Sequence, residues 1–476
     1  MKRDTMTRHF LTTATAALIC GALPALADGP LIVTSTADDG AGSLRAALAS
    51  ASAAQGPQQI LLAVGEGIEL ETGLVYSGAA PLTLIGTGQT ISIAVDETLL
   101  TASTGADLSV EDLTFRGPGG FDLEARADIE DGTAGKGIFV DLRDDQSGLA
   151  TLSLTRVTVA DVASHGIHVS DCSLADACGG GGGGAGEGSD ASILVLLDSV
   201  TIDNVGHGRF DADGLRVDER GAGDIHLVGR GLTVTGAGAD GAELDEGQDG
   251  SVLVDLTEAR FFDNGAYCDP QRLAAFLPDP DEAEFDAGQR AASDIPGPVT
   301  GSPDDACIER EVDLRDDGSV EAYEFSIDTD DGFDVDEAGP GSIHAVLRDV
   351  EIRGNLDEGL DYDEEDAGDI ALTLAGFTDT GNSDDAVKMS EDGAGHVLAT
   401  LTNVRASDNG GVGIVLEEPG DGDLSSVLSG VVTAGNDGGD LGVEAVQEDA
   451  GSGHLTLHDS RIADGAEGDG VTLAGQ

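Results

Sequence analysis

Gly332-Phe333-Asp334-Val335-Asp336-Glu337, then Ile343-His344-Ala345-Val346-Leu347, then Val350-Glu351-Ile352 and Asn355, returns 27 residues later as Gly359-Leu360-Asp361-Tyr362-Asp363-Glu364, Ile370-Ala371-Leu372-Thr373-Leu374, Phe377 and Asn382. Counted from the glycine, apolar side chains recur at +1 and +3, at +11, +13 and +15, and near +18 and +20. Each cluster alternates with period two, which is the pattern of a short strand with one buried face. No apolar set keeps a helical period across the repeat, and its Gly and Asp density is costly in helix interiors. Three strands per 27 residues make one coil, and stacked coils bury a continuous apolar column that no single coil could bury alone. The predicted fold is all-β, a right-handed parallel β-helix.

The same frame starts at Gly214, Gly241, Gly332, Gly359, Ala386, Gly413, Gly442 and Gly470, with spacings of 27 inside uninterrupted runs and then 29 and 28. Asn355, Asn382, Asn409 and Asn436 share offset +23 and read as an internal Asn ladder at a tight turn, because Asn tolerates left-handed backbone and its amide can bond its copy one coil away. Degraded coils begin at Gly137 and Gly166. The expected organisation is a signal peptide over 1–27, a cap and irregular coils over 28–130, coils over 131–265 with a Gly-rich loop at 172–190, an insertion at 266–325, and coils over 326–476.

The start of the chain has the parts of a secretory signal: Lys2, Arg3 and Arg8, an apolar stretch from Phe10 to Leu23, and Ala25-Leu26-Ala27. An exported protein, extracellular or periplasmic and without a membrane span, is therefore expected. Cys172 and Cys178, and Cys268 and Cys307, fall in two insertions, which favours local disulfides over the other pairings that four cysteines allow. A Cys268–Cys307 bridge would be worth roughly 4 kcal/mol in the chain-entropy model. Asp and Glu number 91 against 23 Lys and Arg, a net charge of −68. That field repels nucleic acid and other polyanions unless cations intervene. The absence of Trp removes the commonest stacking platform of sugar and single-strand sites.

Leu31-Ile32-Val33-Thr34-Ser35-Thr36-Ala37-Asp38-Asp39-Gly40-Ala41-Gly42-Ser43-Leu44-Arg45-Ala46-Ala47-Leu48 resembles the opening of bacterial secreted parallel β-helix proteins of the CSLREA type, within the broader group of pectate-lyase-like solenoids. Only Ser43-Leu44-Arg45 of the signature is kept, with Gly42 and Ala46 in place of its Cys and Glu. The resemblance implies that this strand and a short helix from Ser43 to Ala53 cap the first coil.

Acidic pairs follow the first strand at +4 and +5: Asp218-Glu219, Asp245-Glu246, Asp336-Glu337, Asp363-Glu364, Glu391 after Ser390, and Glu417-Glu418. Equal offsets stack about 4.8 Å apart. Like charges at that spacing repel, and Ca²⁺ suits irregular carboxylate cages, so divalent cations bridging the coils along this edge are one expectation. A solvated acidic surface is the other. Asp328 to Glu337 resembles a calcium loop but lacks EF-hand spacing.

Many solenoids of this group are polysaccharide lyases or hydrolases whose catalytic groups project from the first strand. The outward +2 column here reads Arg216, Glu243, Asp334, Asp361, Lys388, Val415 and Glu444. Lys388, with Asp361, Asp384 and Asp385 near it and Arg216 in the same column, is the catalytic alternative, although carboxylates around a lysine favour its charged form and make it a poor base. His226 and His344 read as surface histidines. The leading functional expectation is a non-catalytic binding or structural solenoid, Ca²⁺-stabilised; the alternatives are an enzyme acting on a polysaccharide and an adhesin-like module contacting a cell-surface component.

Overall fold

The computed structural model describes residues 29–121, 123, 135–172, 188–277, 282–297, 305–315 and 318–475. Among them, one 23-stranded sheet, one 12-stranded sheet and one three-stranded antiparallel sheet are formed. The two large sheets are the walls of a parallel β-helix. Each strand of the 12-stranded sheet pairs in parallel only with its counterparts in neighbouring coils, from Leu74–Tyr76 through Leu215–Glu219 and Leu360–Glu364 to Ala466–Asp469. We call this wall the short-strand sheet.

The register matches the frame read from sequence. Phe333 faces Leu360 and Val335 faces Tyr362 across one coil step, and Ile343 faces Ile370 across the next wall. These positions form a single buried apolar cluster running from Val33 to Leu457. Ser43 caps the helix Leu44–Ser52 by accepting from the Ala46 amide, and Leu44, Ala47, Leu48 and Ala51 close the base of the core. Arg45 ties the helix to the coil by donating to the Gly73 and Thr72 carbonyls and to Asp38.

Between Arg260–Phe262 and Phe333–Glu337 the chain leaves the coil and returns in register, so that Ala242 pairs with Phe333 directly. The excursion builds the antiparallel sheet of Glu282–Glu284, Val320–Ile327 and Ile308–Leu314 over its own small core of Ile295, Ile308, Val320, Tyr323 and Phe325. Cys268 and Cys307 are bonded at its root, with Cα atoms 5.4 Å apart. Cys172 is also disulfide-bonded; Cys178 and most of the Gly-rich loop lie outside the described residues, as does the expected signal peptide. No helix among the described residues is long and apolar enough to cross a membrane.

The Asn ladder is present, with one correction. Asn264 joins it, bonding Asn355, which bonds Asn382; Asn409 bonds Asn436. The left-handed residue is not the Asn but the one before it, Asp263, Gly354, Gly381, Asp408 or Gly435. The turn is made at +22, which frees the +23 amide to point along the stack.

Candidate functional site on the short-strand face

Neighbours along a strand point to opposite faces, so +2 and +4 of the short-strand sheet point outward while +1, +3 and +5 point in. Pairing sets Phe139, His168, Arg216, Glu243, Asp334 and Asp361 in one outward row, and Lys388 follows because Leu360 bridges Val387. Asp218, Asp245, Asp336 and Asp363 form the next row. The residues just before each coil glycine, His165, Asp213, Asp240, Asp331, Glu358 and Asp385, stack through the glycine amides beneath them.

The first coils of this face carry a connected set of ionisable side chains. Lys136 Nζ contacts His168 Nδ1, and His168 Nε2 lies 2.6 Å from Asp218 Oδ2. A carboxylate only accepts, so it fixes the ring proton on Nε2 and leaves Nδ1 to accept from Lys136. Arg216 donates from Nε to Asp218 at 2.7 Å and also binds Glu243 and Asp245. Arg220 reaches Asp245 at 2.6 Å. His165 packs 4.6 Å from His168, centroid to centroid, and accepts at Nδ1 from the Asp213 amide. Lys136 also sits 4.6 Å from the Phe139 ring centroid.

Burial sets the electrostatics of this group. Desolvation, opposed by Asp218 and helped by Arg209 and Arg216, pushes the Lys136 amine down to about 8. Burial and the nearby Lys136 charge hold His165 and His168 well below the usual imidazole range, so both rings are neutral. Burial alone would raise Asp218, but Arg216 and the His168 hydrogen bond outweigh it and keep the carboxylate ionised. Asp213 is raised to about 6, mainly by burial. A lysine near neutrality, touching a neutral imidazole oriented by an ionised carboxylate, is a proton-transfer arrangement.

Farther along, the face turns acidic. Among the described residues, five groups of three carboxyls have oxygens within 4.8 Å of one another: Asp211, Asp213 and Glu243; Asp240, Glu243 and Asp334; Glu243, Asp245 and Asp336; Asp331, Glu358 and Asp361; Asp357, Glu358 and Asp384. Such donor sets could hold a metal ion. In the three groups that contain Glu243, the Arg216 guanidinium already supplies positive charge. Burial, with neighbouring carboxylates adding to it, raises Asp240, Asp331 and Asp334 well above the usual carboxylate range.

Of the residues singled out from sequence, Lys388 donates to Asp361 Oδ2 at 2.7 Å and lies 3.5 Å from Glu358. Burial works against its charge, yet Asp361, Asp363 and Glu358 outweigh burial and raise its pKa above the ordinary lysine range. Asp384 and Asp385 sit within the electrostatic reach of Lys388, and Asp385 is raised to about 7 by burial and by Asp384. Arg216 is four coils away from Lys388 in the same row, about 19 Å at the coil rise, so the two do not share a site.

The acidic pairs require a correction. Asp218, Asp245, Asp336, Asp363 and Glu417 point outward, but Glu219, Glu246, Glu337, Glu364, Glu391 and Glu418 are 0–1% exposed and share the inward face with the apolar +1 and +3 residues. The pairs therefore do not line one ridge. Period two parts them, as it must for adjacent residues in a strand.

Lys136, His165 and His168 were not found from sequence. Their offsets were the available signal: His165 and His168 stand at −1 and +2 of the Gly166 coil, and Lys136 stands at −1 of the Gly137 coil. The +2 column extended two coils upstream reads His168 and Phe139.

The sequence matches no family model and no curated protein. Solved structures similar to the chain include the A-module of a mannuronan C-5 epimerase of Azotobacter vinelandii, 12% identical over 91% of this chain and 94% of that one, TM-score 0.31. A family 136 lacto-N-biosidase of Eubacterium ramulus is 12% identical over 89% of this chain and 64% of that one, TM-score 0.35. The catalytic domain of a family 87 α-1,3-glucanase is 13% identical over 83% and 68%, TM-score 0.24. These likenesses are too distant to argue from, and the parallel β-helix assignment stands on this chain's own coil register.

Proposed function

We propose that the short-strand face is the active groove of a polysaccharide-directed enzyme, with its chemistry at Lys136, His168 and Asp218. The contact of Lys136 with a neutral, carboxylate-oriented His168 carries this reading. Burying a lysine, two histidines and an arginine on the outer face costs desolvation energy, which weighs against a purely structural role for this cluster. In this reading Lys136 takes and returns the proton, and His168 orients its amine. Asp218, braced by Arg216, fixes the His168 tautomer, and the acidic row downstream binds sugar hydroxyls. The field of the whole chain favours neutral glycans over polyanionic ones.

A panel of neutral and acidic glycans, assayed for new reducing ends and for unsaturated products, tests this. Lys136→Ala should lower turnover by about 10²–10⁴-fold, the range of a lost acid–base group, and Lys388→Ala should lower it far less. Equal losses in the two variants, or no product from any glycan, would sink the proposal.

A second reading, a binding solenoid stabilised by Ca²⁺, is favoured by the convergence of Asp357, Glu358 and Asp384 near the groove's open side, where Asp384 is exposed. Hard oxygen donors of this kind suit Ca²⁺. Calorimetric titration of Ca²⁺ in high NaCl checks it: a saturable heat that disappears in Asp357→Asn/Asp384→Asn supports it, and a flat titration removes it.

A further inference from the structure

The six inward glutamates form a structure of their own. Strand pairing stacks Glu219, Glu246, Glu337, Glu364 and Glu391 directly over one another, and Glu418 follows because Ser390 pairs with Glu417, so six carboxyls share one buried column. Asp171 closes one end against Glu219, and the Gln447 amide donates to Glu418 at the other. Both ends occupy the same +5 offset. Each of the six has at least one buried carboxyl oxygen that meets no donor among the described residues, and Glu364 has two. The amides of Gly221, Gln248, Gly339 and Gly393 donate to one oxygen of Glu219, Glu246, Glu337 and Glu391. The charged groups that reach the column from outside are Asp366 beside Glu337 and Glu364, and His396 beside Glu418.

Two ionised carboxylates cannot share a hydrogen bond, since neither has a proton to give. The cations nearest the column pair with other carboxylates, Arg220 with Asp245 and Lys388 with Asp361 and Glu358. We propose that the +5 glutamates are a proton-bridged carboxyl ladder that ties successive coils together and makes the solenoid loosen as pH rises. Burial is the first cause of the upward shifts, to about 6 at Glu418, about 8 at Glu364 and Glu391, about 9 at Glu219 and about 11 at Glu246. A carboxyl whose pKa is raised by folding binds more protons in the fold than in the open chain. Its stabilising share is complete below the ordinary carboxylate pKa and is lost as pH climbs through the raised values. The window therefore runs from mildly acid to alkaline pH, opposite to acid denaturation. Asp240, Asp331, Asp334 and Asp379 are also raised by burial and add to the same fall, so the ladder's share is the part that glutamine substitution within the column removes.

Thermal melting of the full chain in EDTA at fixed ionic strength, from pH 5 to pH 10, tests the ladder. The melting temperature of the wild type should fall as pH rises. Glu246→Gln/Glu364→Gln/Glu418→Gln, which places an amide donor beside every remaining glutamate as Gln447 does naturally, should make that fall clearly shallower; Glu364→Gln alone should do so to a smaller extent. Parallel pH curves for wild type and variants would overturn the proposal, as would CaCl₂ restoring the alkaline melting temperature of the wild type but not of the variants, which would make the column a cation site. Should the triple variant not fold, the slowly deuterating infrared C=O band of un-ionised carboxyls at pH 7 decides, compared between wild type and Glu364→Gln. A band that weakens in the variant supports the ladder, and an unchanged band refutes it.

Discussion

Asp379 occupies the +20 position that Ile352 holds one coil before and Ala406 one coil after. It is fully buried, accepts from Asn382 Nδ2 at 2.7 Å, and leaves its other oxygen without a donor. Burial raises its pKa well above the usual range, so folding above pH 4 must either protonate it or bury a charge. Asp379→Asn keeps the acceptor and removes the charge. It should raise stability at pH 8 by about 1–3 kcal/mol, with the gain shrinking toward pH 4; paired chemical denaturation at the two pH values measures this, and an equal effect at both refutes it. The residue was visible in the sequence as a break in an apolar row, but only the neighbouring Asn ladder shows what it bonds. Lys136 yields a second residue-scale expectation. If its neutral amine is the proton acceptor, glycan turnover rises with pH through about 8, and a turnover that falls across that range excludes this role.

At the scale of the element, each coil from Gly214 to Gly442 places a glycine at +9, and the ladder explains part of the requirement. A Cβ on Gly341, Gly368 or Gly395 would lie 2.5–2.9 Å from the preceding Glu carboxyl oxygen, and 1.3–1.6 Å from the glycine carbonyl one coil away. The corner is thus a stack of bare backbone beside a stack of carboxyls. Gly368→Ala must displace main chain and should cost about 3 kcal/mol, the upper end of ordinary overpacking; a melting temperature unchanged from wild type would show that the corner is looser than its geometry. The repetition of these glycines is plain in the sequence. The reason for them is not, because the nearest atoms they avoid, the glycine carbonyls, belong to the coil before. The +4/+5 pairs were misread as one ridge although period two already assigns them to opposite faces. Counting offsets found the residues, and the strand's alternation decided where each one points.

For the whole molecule, the governing quantity is the net charge of −68. Like charges spread over a long surface destabilise the compact state, and salt weakens that repulsion as the screening length falls from about 30 Å at 0.01 M to about 3 Å at 1 M. The melting temperature should therefore rise with NaCl at pH 7, and a melt independent of NaCl would mean that ion pairs and protonated carboxyls already balance the charge. The sequence by itself determined the solenoid, its three strands per coil, its apolar interior and its Asn ladder, because these follow from a period counted within uninterrupted runs. Only the tertiary structure assembled Lys136, His168 and Asp218, which are 32 and 50 residues apart along the chain. Coils of irregular length and a Gly-rich loop separate them, so counting loses the frame there. Inter-coil hydrogen bonding restores it, since strands pair by backbone register and are indifferent to how much chain lies between them.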